Sequence, residues 1–591
     1  MTGRGNLADM QALPRYQWNV RPPVTGGYAL ARELGCGRLL GGLLAVRGYR
    51  TIESAERFLS PSYDQLPDPL LLPDADKAVT RIVAAIRDRE LILVHGDYDS
   101  DGVSSAALWF RLLTKLGADV RVHVPHRCTD GYDMRSAFVD RASAEGARLI
   151  VTCDCGIRRA EEVRYAAGLG IDVVVTDHHE PGDELPPACA VVNPHRRDSK
   201  YPFADLAGVG VSFRLGEALA IRLGAPIASY RRAYSDLAAI GTVTDVMPLL
   251  SDNRIIVHQG LQSLRSTQKV GLQALLAVSA IPPSRPLASD DIGFGIGPRI
   301  NAIGRIGDAR TALDLMLTRE MPQAEALAAE LNQANISRRA TETRILEQAI
   351  EKIEAAGYHE QPFIVVSSTE WHRGIVGIVA NRIAERYWRP TAMIAIEKGA
   401  NTARGSARSI PGFDLHQAIA TGAEHLRDFG GHSAAAGFSL EADRIGRFRA
   451  AMVETAGRSL QAGDLVPSLQ ADLEVDADEL TVPGVAELAR MQPWGAGNED
   501  PLCVLRGLEI TDCFRIGKER NHLKLRFRTA RHSVRDGVWW SMAEHAATLK
   551  PGELVDVCCR LQVNKYEERE SVQFVLRDIR PHAVDAGGMR P

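Results

Sequence analysis

From Leu91 onward, short runs rich in β-branched residues alternate with stretches in which apolar residues recur every three or four positions. LILVHGD, DVRVHVP, ARLIVTCD and IDVVVTDHH read as strands, and SSAALWFRLLTKLG, SAFVDRASAEG and AEEVRYAAGLG read as the helices between them. That alternation predicts a parallel, doubly wound α/β sheet. Further helical patterns follow in GVSFRLGEALAIRLG and around SDLAAIGTVTD. The run PQAEALAAELNQANISRRATETRILEQAIEKIEAA has good helix formers and no internal proline or glycine, so it predicts one long spacer helix of about ten turns. A second α/β unit is expected from PFIVVSS to about HSAAAGFSL. Beyond about Ser468, LCVLRGLEI, HLKLRFR, GVWWSM, LVDVCCRLQV and SVQFVLRDI are β-type runs broken by glycine, proline and charge clusters, which predicts a small β-barrel. The first hundred residues carry two proline-rich stretches, at 14–23 and 61–73, around the short helical pattern TIESAERFL. An extended lead-in with little chemistry is expected there.

Composition narrows the class. The 591 residues are 45% hydrophobic and 24% charged, an ordinary globular balance for about three or four domains. No apolar run approaches the ~18 residues of a membrane span, and the start lacks the apolar stretch of a secretory signal, so a cytoplasmic location away from membranes is expected. Nine cysteines without C-x2-C spacing read as reduced thiols, and Cys153 and Cys155 stand too close for the usual zinc pairing. The net charge of -4 is unevenly spread: residues 515–535 hold eight basic residues and one acid, a local +7 that leaves -11 elsewhere.

The acids fall in a pattern. His95, Asp97, Asp99 and Asp101 end the first expected strand, Asp154 ends another, and Asp177, His178 and His179 end a third. In an open parallel sheet the carboxyl ends of the strands face one crevice, so these loops converge. Clustered carboxylates repel one another unless cations neutralise them, which points to a metal site with enough ligands for two ions. Oxygen donors with one or two histidines suit Mn or Mg better than Zn or Fe. The matching reaction is hydrolysis at phosphorus. Helix capping is the competing reading of any single aspartate here, but it does not account for three loops together.

HGDYDSDG (residues 95–102), TCDCG around Asp154, DHH (177–179) and GTVTDVMPL with Asp245 resemble the four ordered motifs of the DHH phosphoesterase superfamily. RINAIGR (299–305), WHRGIVGIVA (371–380), GSARSI (405–410) and FGGHSAAAGF (429–438) are similar to the RecJ family and its DHH-associated second domain. QPWGAGNEDP (492–501) resembles the entry to that family's oligonucleotide-binding barrel, so the resemblance runs from about residue 91 to 580. It implies an α/β chain in five parts: a lead-in over 1–75, a DHH catalytic domain over 76–285, a helical connector over 286–358, a DHH-associated domain over 359–460 and an OB-fold over 468–582.

The implied activity is 5′-to-3′ exonuclease action on single-stranded DNA in repair and recombination. Two manganese or magnesium ions are implied with it, and so are a RecQ-type helicase, single-stranded-DNA-binding protein and a monomeric state. By resemblance Asp99, Asp101, Asp154, His178 and Asp245 are the main metal ligands, with Asp154 between the ions, and His95 and Asp97 complete or orient the set. His179 joins Asp154 and Asp99 as catalytic by facing the scissile phosphate, and Asp177 supports a histidine.

An end-directed nuclease also needs a pocket for the terminal phosphate, for which the planar fork of arginine is suited. By resemblance Arg127, Arg305, Ser406 and Arg408 supply it, and His372, Arg373, Gly430, Gly431 and His432 line the strand's path. The basic stretch would track DNA with Lys524, Arg526 and Arg528 outward, while alternation in HLKLRFR puts Phe527 inside. Phe514, Trp539, Trp540 and Tyr566 are the other candidates for base stacking. Two departures stand out: Ser100 replaces an apolar residue, and Asp130 and Asp133 replace the commoner Glu-Gly-Tyr-Gly pattern, without removing a ligand. A phosphodiesterase of short RNA or cyclic dinucleotides, or a pyrophosphatase, would need neither the long helix nor the basic barrel. An inactive DNA-binding scaffold would have lost ligands that are all present here.

Overall fold

A computed structural model describes residues 16–127, 130–131, 133–566 and 569–583. Five parallel strands form the first sheet, in the spatial order Val120–His123, Ile92–Gly96, Leu149–Cys153, Asp172–Thr176, Ala190–Val192. Chain order reverses direction between Ile92–Gly96 and Leu149–Cys153, and in such sheets ligands bind at that switch point. Both strands are buried along their whole length because helices cover both faces. Ile92, Val94, Leu149 and Val151 pack with Trp109 on one face, while Leu93, Ile150 and Val173 pack with Phe138 on the other.

The 35-residue helix Met321–Ala355 is about 52 Å long at 1.5 Å per residue. Its first half places Ala324, Ala328 and Leu331 in the core of the parallel-sheet unit, and its second half places Ile345, Ala349 and Ile353 in the core of the next unit. One rod therefore belongs to two cores and sets the cleft between them. The second sheet runs Leu426–Gly431, Ala435–Leu440, Ala403–Arg408, Thr391–Ile396, Ile364–Ser368, with only the last two strands parallel. A six-stranded sheet follows, five strands of which close into a barrel by pairing of Cys503–Ile516 with Leu554–Tyr566.

The segment expected to be an extended lead-in is folded from Gln17 on; its residues 1–15 lie outside the described ones. Gln17–Val20 pairs in parallel with Ser468–Ala471. Helices Gly27–Glu33, Arg38–Val46 and Ile52–Leu59 bury Leu30, Leu40, Leu43, Leu44 and Phe58 in one core with Leu505, Leu525 and Phe574 of the barrel. The physical reason is apolar spacing: RLLGGLLAV carries an apolar face too large to leave in water, and the barrel end covers it. Among the described residues no cysteine is disulfide-bonded and no helix is long and apolar enough to cross a membrane.

Candidate active site

The acids gather at the switch point. Asp99 caps the helix Ser100–Lys115, its Oδ1 accepting from the amides of Asp101 at 2.9 Å and Gly102 at 3.1 Å. Capping thus uses one oxygen and leaves the other for a ligand. Asp101 is buried, and its oxygens accept from Gly208 N at 2.7 Å and Val209 N at 2.8 Å, where the helix Gly208–Arg222 begins. Asp154 follows its strand with φ 63, a left-handed backbone that is strained for a non-glycine residue and is held by its surroundings. Asp245 sits at the C-terminal end of the helix Ile227–Thr244, where the dipole disfavours negative charge.

His178 draws these groups together. Its Nε2 lies 3.2 Å from Asp154 Oδ1, 3.5 Å from Asp245 Oδ2 and 4.0 Å from Asp101 Oδ2. Three sets of potential ligand atoms each fall within 4.8 Å: Asp97, Asp99 and Asp154; Asp101, His178 and Asp245; Asp154, His178 and His179. Asp154 and His178 each belong to two sets, so the sets adjoin. His179 Nδ1 contacts Asp177 Oδ1 at 2.8 Å, and Asp177 also accepts from the amides of Ile157, His178 and His179. Asp177 therefore fixes the imidazole rather than reaching the cluster.

Burial, followed by the neighbouring carboxylates, pushes Asp97, Asp154 and Asp245 well above the usual carboxylate range. Asp101 rises to about 7 by burial and the charge of Asp99. Asp177 goes the other way: burial works against it, but the hydrogen bond and charge of His179 hold it low. His179 is raised to about 9: burial works against it, but the hydrogen bond and charge of Asp177, together with Asp245 and Asp97, outweigh burial, whereas burial and His179 take His178 down to about 4. Without cations this chemistry is uncomfortable: Asp97 Oδ1 is buried with no hydrogen-bond partner among the described residues. Hard oxygen donors with one neutral imidazole fit a divalent Mn or Mg ion.

Glycines make the crowding possible. A Cβ on Gly208 would lie 2.6 Å from Asp154 Oδ1, and one on Gly241 would lie 2.5 Å from Asp101 Oδ1. His95, expected among the ligands, enters none of the three sets. Along its strand it shares a face with Leu91 and Leu93, and its ring rests on Phe138 at 4.1 Å and His123 at 5.4 Å. Burial, then His123, lowers it to about 3, so it is neutral.

A cavity of about 350 Å³ brings Arg127, Arg305, His372, Arg373, Ser406 and Arg408 together. Arg408 Nη1 donates to Ser406 Oγ at 3.0 Å, and Arg305 Nη1 to Gly374 O at 3.3 Å. Burial lowers Arg305 to about 10, which leaves it cationic at neutral pH. Only glycine at 377 lets the helix Val376–Tyr387 approach, since a Cβ there would lie 2.8 Å from Ser406 Oγ. Tyr98, between Asp97 and Asp99, lies under the Arg127 guanidinium at 5.0 Å and ties this pocket to the acids. Arg404 and Asp428 also line it and were not expected. Alternation in ARGSAR, which puts Arg404, Ser406 and Arg408 on one face, carries the signal for Arg404. Gly430, Gly431 and His432 are exposed and do not line it. Gly431, at φ 145, and His432, whose amide donates to Ala435 O at 2.8 Å, form the hairpin turn.

The departures have local partners. Ser100 donates from its amide to Asn301 Oδ1 at 2.8 Å, Asp133 pairs with Arg159 at 2.8 Å, and Asp130 accepts from His126 N at 2.9 Å. On the barrel, Phe527 and Trp539 are buried, while Phe514, Trp540 and Tyr566 are exposed. Lys524, Arg526 and Arg528 face outward, but Asp536 pairs with the first two at 3.0 and 3.4 Å and Glu509 with the third at 3.1 Å. The expected basic face is thus partly neutralised, because strand register sets Arg526 opposite Asp536 and Arg528 opposite Glu509. Among the described residues Arg515, Lys518 and Arg520 make no ion pair.

Three family models match the chain: the DHH family N-terminal domain over residues 91–242, the DHHA1 domain over 360–457 and the RecJ OB domain over 471–578. The single-stranded-DNA-specific exonuclease RecJ of Bacillus subtilis is 35% identical over 565 residues, covering 95% of this chain and 71% of that protein. The Escherichia coli protein of the same name is 35% identical over 570 residues, covering 92% and 96%. The crystal structure of RecJ in complex with Mn2+ from Thermus thermophilus superposes with a TM-score of 0.82 at 31% identity, covering 97% of this chain and 81% of that one. The Mg2+ complex gives 0.75 at 30%, covering 97% and 80%.

Proposed function

The chain belongs to the RecJ family, and from that premise we propose that it removes nucleotides from the 5′ end of single-stranded DNA with two Mn or Mg ions. The observation that carries the reading is the junction of two opposite sites: a pocket of arginines opens beside a cluster of acids, with Tyr98 between them. The acids would hold cations, and the arginines a phosphate. Asp97, Asp99, Asp101, Asp154, His178 and Asp245 would hold the ions, which when bound supply charge neutralisation at the scissile phosphate and a hydroxide near neutral pH. Arg305, Ser406 and Arg408 would grip the terminal phosphate and so fix which phosphodiester reaches the acids. His179 is turned by Asp177, whose hydrogen bond and charge favour its protonated form. Its Nε2 can stabilise charge on a phosphate oxygen or hand that proton to the leaving 3′ oxygen.

We also place the enzyme in the cytoplasm, as a monomer beside a RecQ-type helicase that exposes single strands and a single-stranded-DNA-binding protein; family resemblance supports these assignments. The test uses 5′- and 3′-labelled single strands, with and without a 5′ phosphate, in Mn, Mg or chelator. Mononucleotides should leave the 5′ end only with metal. Asp154→Ala should abolish release while DNA binding persists, and Arg408→Ala should cut the preference for a 5′ phosphate by about tenfold or more. Full activity of Asp154→Ala would overturn the assignment.

A further inference from the structure

A cavity of about 680 Å³ lies on the parallel-sheet unit away from the acids, walled by the ends of three helices, Ser100–Lys115, Ile227–Thr244 and Ser251–Arg265. That volume suits a small molecule. Arg111 and Lys115 stand in the last turns of the first helix, whose other end Asp99 caps, and Arg232 stands near the start of the second, which ends at Asp245. At 1.5 Å per residue the 16-residue first helix puts about 24 Å between this cavity and the metal cluster. None of its wall residues lines the phosphate pocket.

Its charge is one-sided. Arg111, Lys115, Arg232, Lys269 and Arg319 line it against a single acid, Asp236. That acid is already taken: Lys269 Nζ donates to its Oδ1 at 2.9 Å and its Oδ2 at 2.8 Å, and Thr267 Oγ1 donates to Oδ2 at 2.8 Å. Arg111 fixes one edge of its guanidinium on Met316 O, from Nε at 2.9 Å and Nη2 at 2.6 Å, which leaves Nη1 without a partner among the described residues. Among the described residues Arg111, Lys115, Arg232 and Arg319 make no ion pair. These four cations are thus uncompensated in a chain whose net charge is -4. Burial lowers Arg111, with Arg319 adding to the effect, so the fold holds like charges together at a cost that an anion would relieve.

We propose that this cavity binds a short chain of linked phosphates, carried by a nucleoside triphosphate or free as an inorganic oligophosphate. Several cations around one recess match several phosphates, and arginine forks take phosphate oxygens in pairs. A recess walled on several sides suits a small ligand better than a rod-like duplex. Such a ligand would grip from behind both helices whose other ends carry Asp99, Asp101 and Asp245. The inference goes beyond the exonuclease reading and does not depend on it.

The test titrates inorganic tripolyphosphate, ATP and AMP, in chelator, into the full-length Arg408→Ala protein, whose phosphate pocket is weakened, and follows the heat of binding and backbone hydrogen exchange. Tripolyphosphate should slow exchange over residues 228–236 and 263–269, and AMP should bind more weakly by about tenfold or more. Equal affinities for tripolyphosphate and ATP would mean that the phosphate chain alone is read, and tighter ATP that the nucleoside is read as well; both support the site. Adding Arg232→Gln and Arg319→Gln, at two exposed side chains, should leave thermal unfolding of the unliganded protein unchanged, weaken tripolyphosphate by about tenfold or more and remove the local slowing. Lys115→Gln alone should weaken it about threefold, which keeps the test open if the double substitution disturbs the fold. Affinity indifferent to these substitutions, or slowing confined to the segments around Arg305 and Arg520, overturns the site. Displacement of tripolyphosphate by a duplex oligonucleotide, lost with the same substitutions, would give the cavity to a nucleic-acid backbone and overturn it too.

Discussion

Replacing Gly208 by alanine tests the metal cluster without touching any proposed ligand. The added Cβ would sit 2.6 Å from Asp154 Oδ1, 2.7 Å from its Cβ and 2.9 Å from its Cγ. Ordinary contact begins at 3.4 Å, so the carboxylate must retreat by about 0.8 Å. It has little room, because Asp154 is already left-handed and faces Asp97, Asp99 and His178. The amide of Gly208 also holds Asp101, so both acids would feel the shift. A misplacement near 1 Å costs about a hundredfold in rate when geometry controls the reaction. Single-turnover release from a 5′-labelled strand should therefore fall about a hundredfold at saturating Mn, with weaker Mn dependence by titration. Gly210→Ala, two positions along the same helix, meets the Leu206 side chain at 3.3 Å and Asn253 Oδ1 at an ordinary 3.9 Å, and should stay within a few-fold of the parent. Alanine is the better helix former by ~1 kcal/mol, so loss of the fold is not the expected cause. A folded Gly208→Ala enzyme working within threefold of the parent would refute the proposed packing of Asp154.

Two further outcomes follow from charges outside the cluster. Burial, only partly offset by Arg560, raises Asp500 to about 6. Its protonated form is favoured by folding, so its contribution to stability is full below the unfolded value of 3.8 and is lost as pH rises through about 6. Asp500→Asn should accordingly stabilise the protein at pH 7.5, by at most ~3 kcal/mol, with the gain vanishing near pH 4; a pH-independent change in chemical denaturation would contradict this. On the barrel, neutralising Arg515, Lys518 and Arg520 together should lower the slope of log affinity against log salt by about 2. Neutralising the paired Lys524, Arg526 and Arg528 should weaken binding uniformly across sequences yet change that slope less, and equal slopes for the two triples would show that the ion pairs do not matter.

The three acid-bearing loops were legible because strand ends in a parallel sheet must share a crevice, whatever the distance along the chain. Asp245 follows no such rule: it ends a helix, and only the family motif points to it. His95 was not placeable from sequence alone, because a strand-end position says nothing of its side; its ring rests on Phe138, with both ring nitrogens buried and without a hydrogen-bond partner among the described residues. Arg404 was readable from the same alternation that exposed Arg408. Counting charge along residues 515–535 overstated the basic face, since Glu509 and Asp536 reach it only through strand pairing. The contacts of Gly208 and Gly241 with acids more than fifty positions away leave no local trace at all.

The barrel's dependence on the chain's early helices has a consequence for synthesis. Trp18 donates to Asp578 across 560 positions, and the apolar sides of the helices between Gly27 and Leu59 find most of their cover in residues beyond 472, made long afterwards. During translation those helices emerge with nothing to shield them, and the barrel cannot finish its interior until they return. A nascent chain halted before Cys503 would thus carry a sticky, unsheltered segment, which makes stalled or nonsense-truncated products of this gene ready clients for chaperones and proteases.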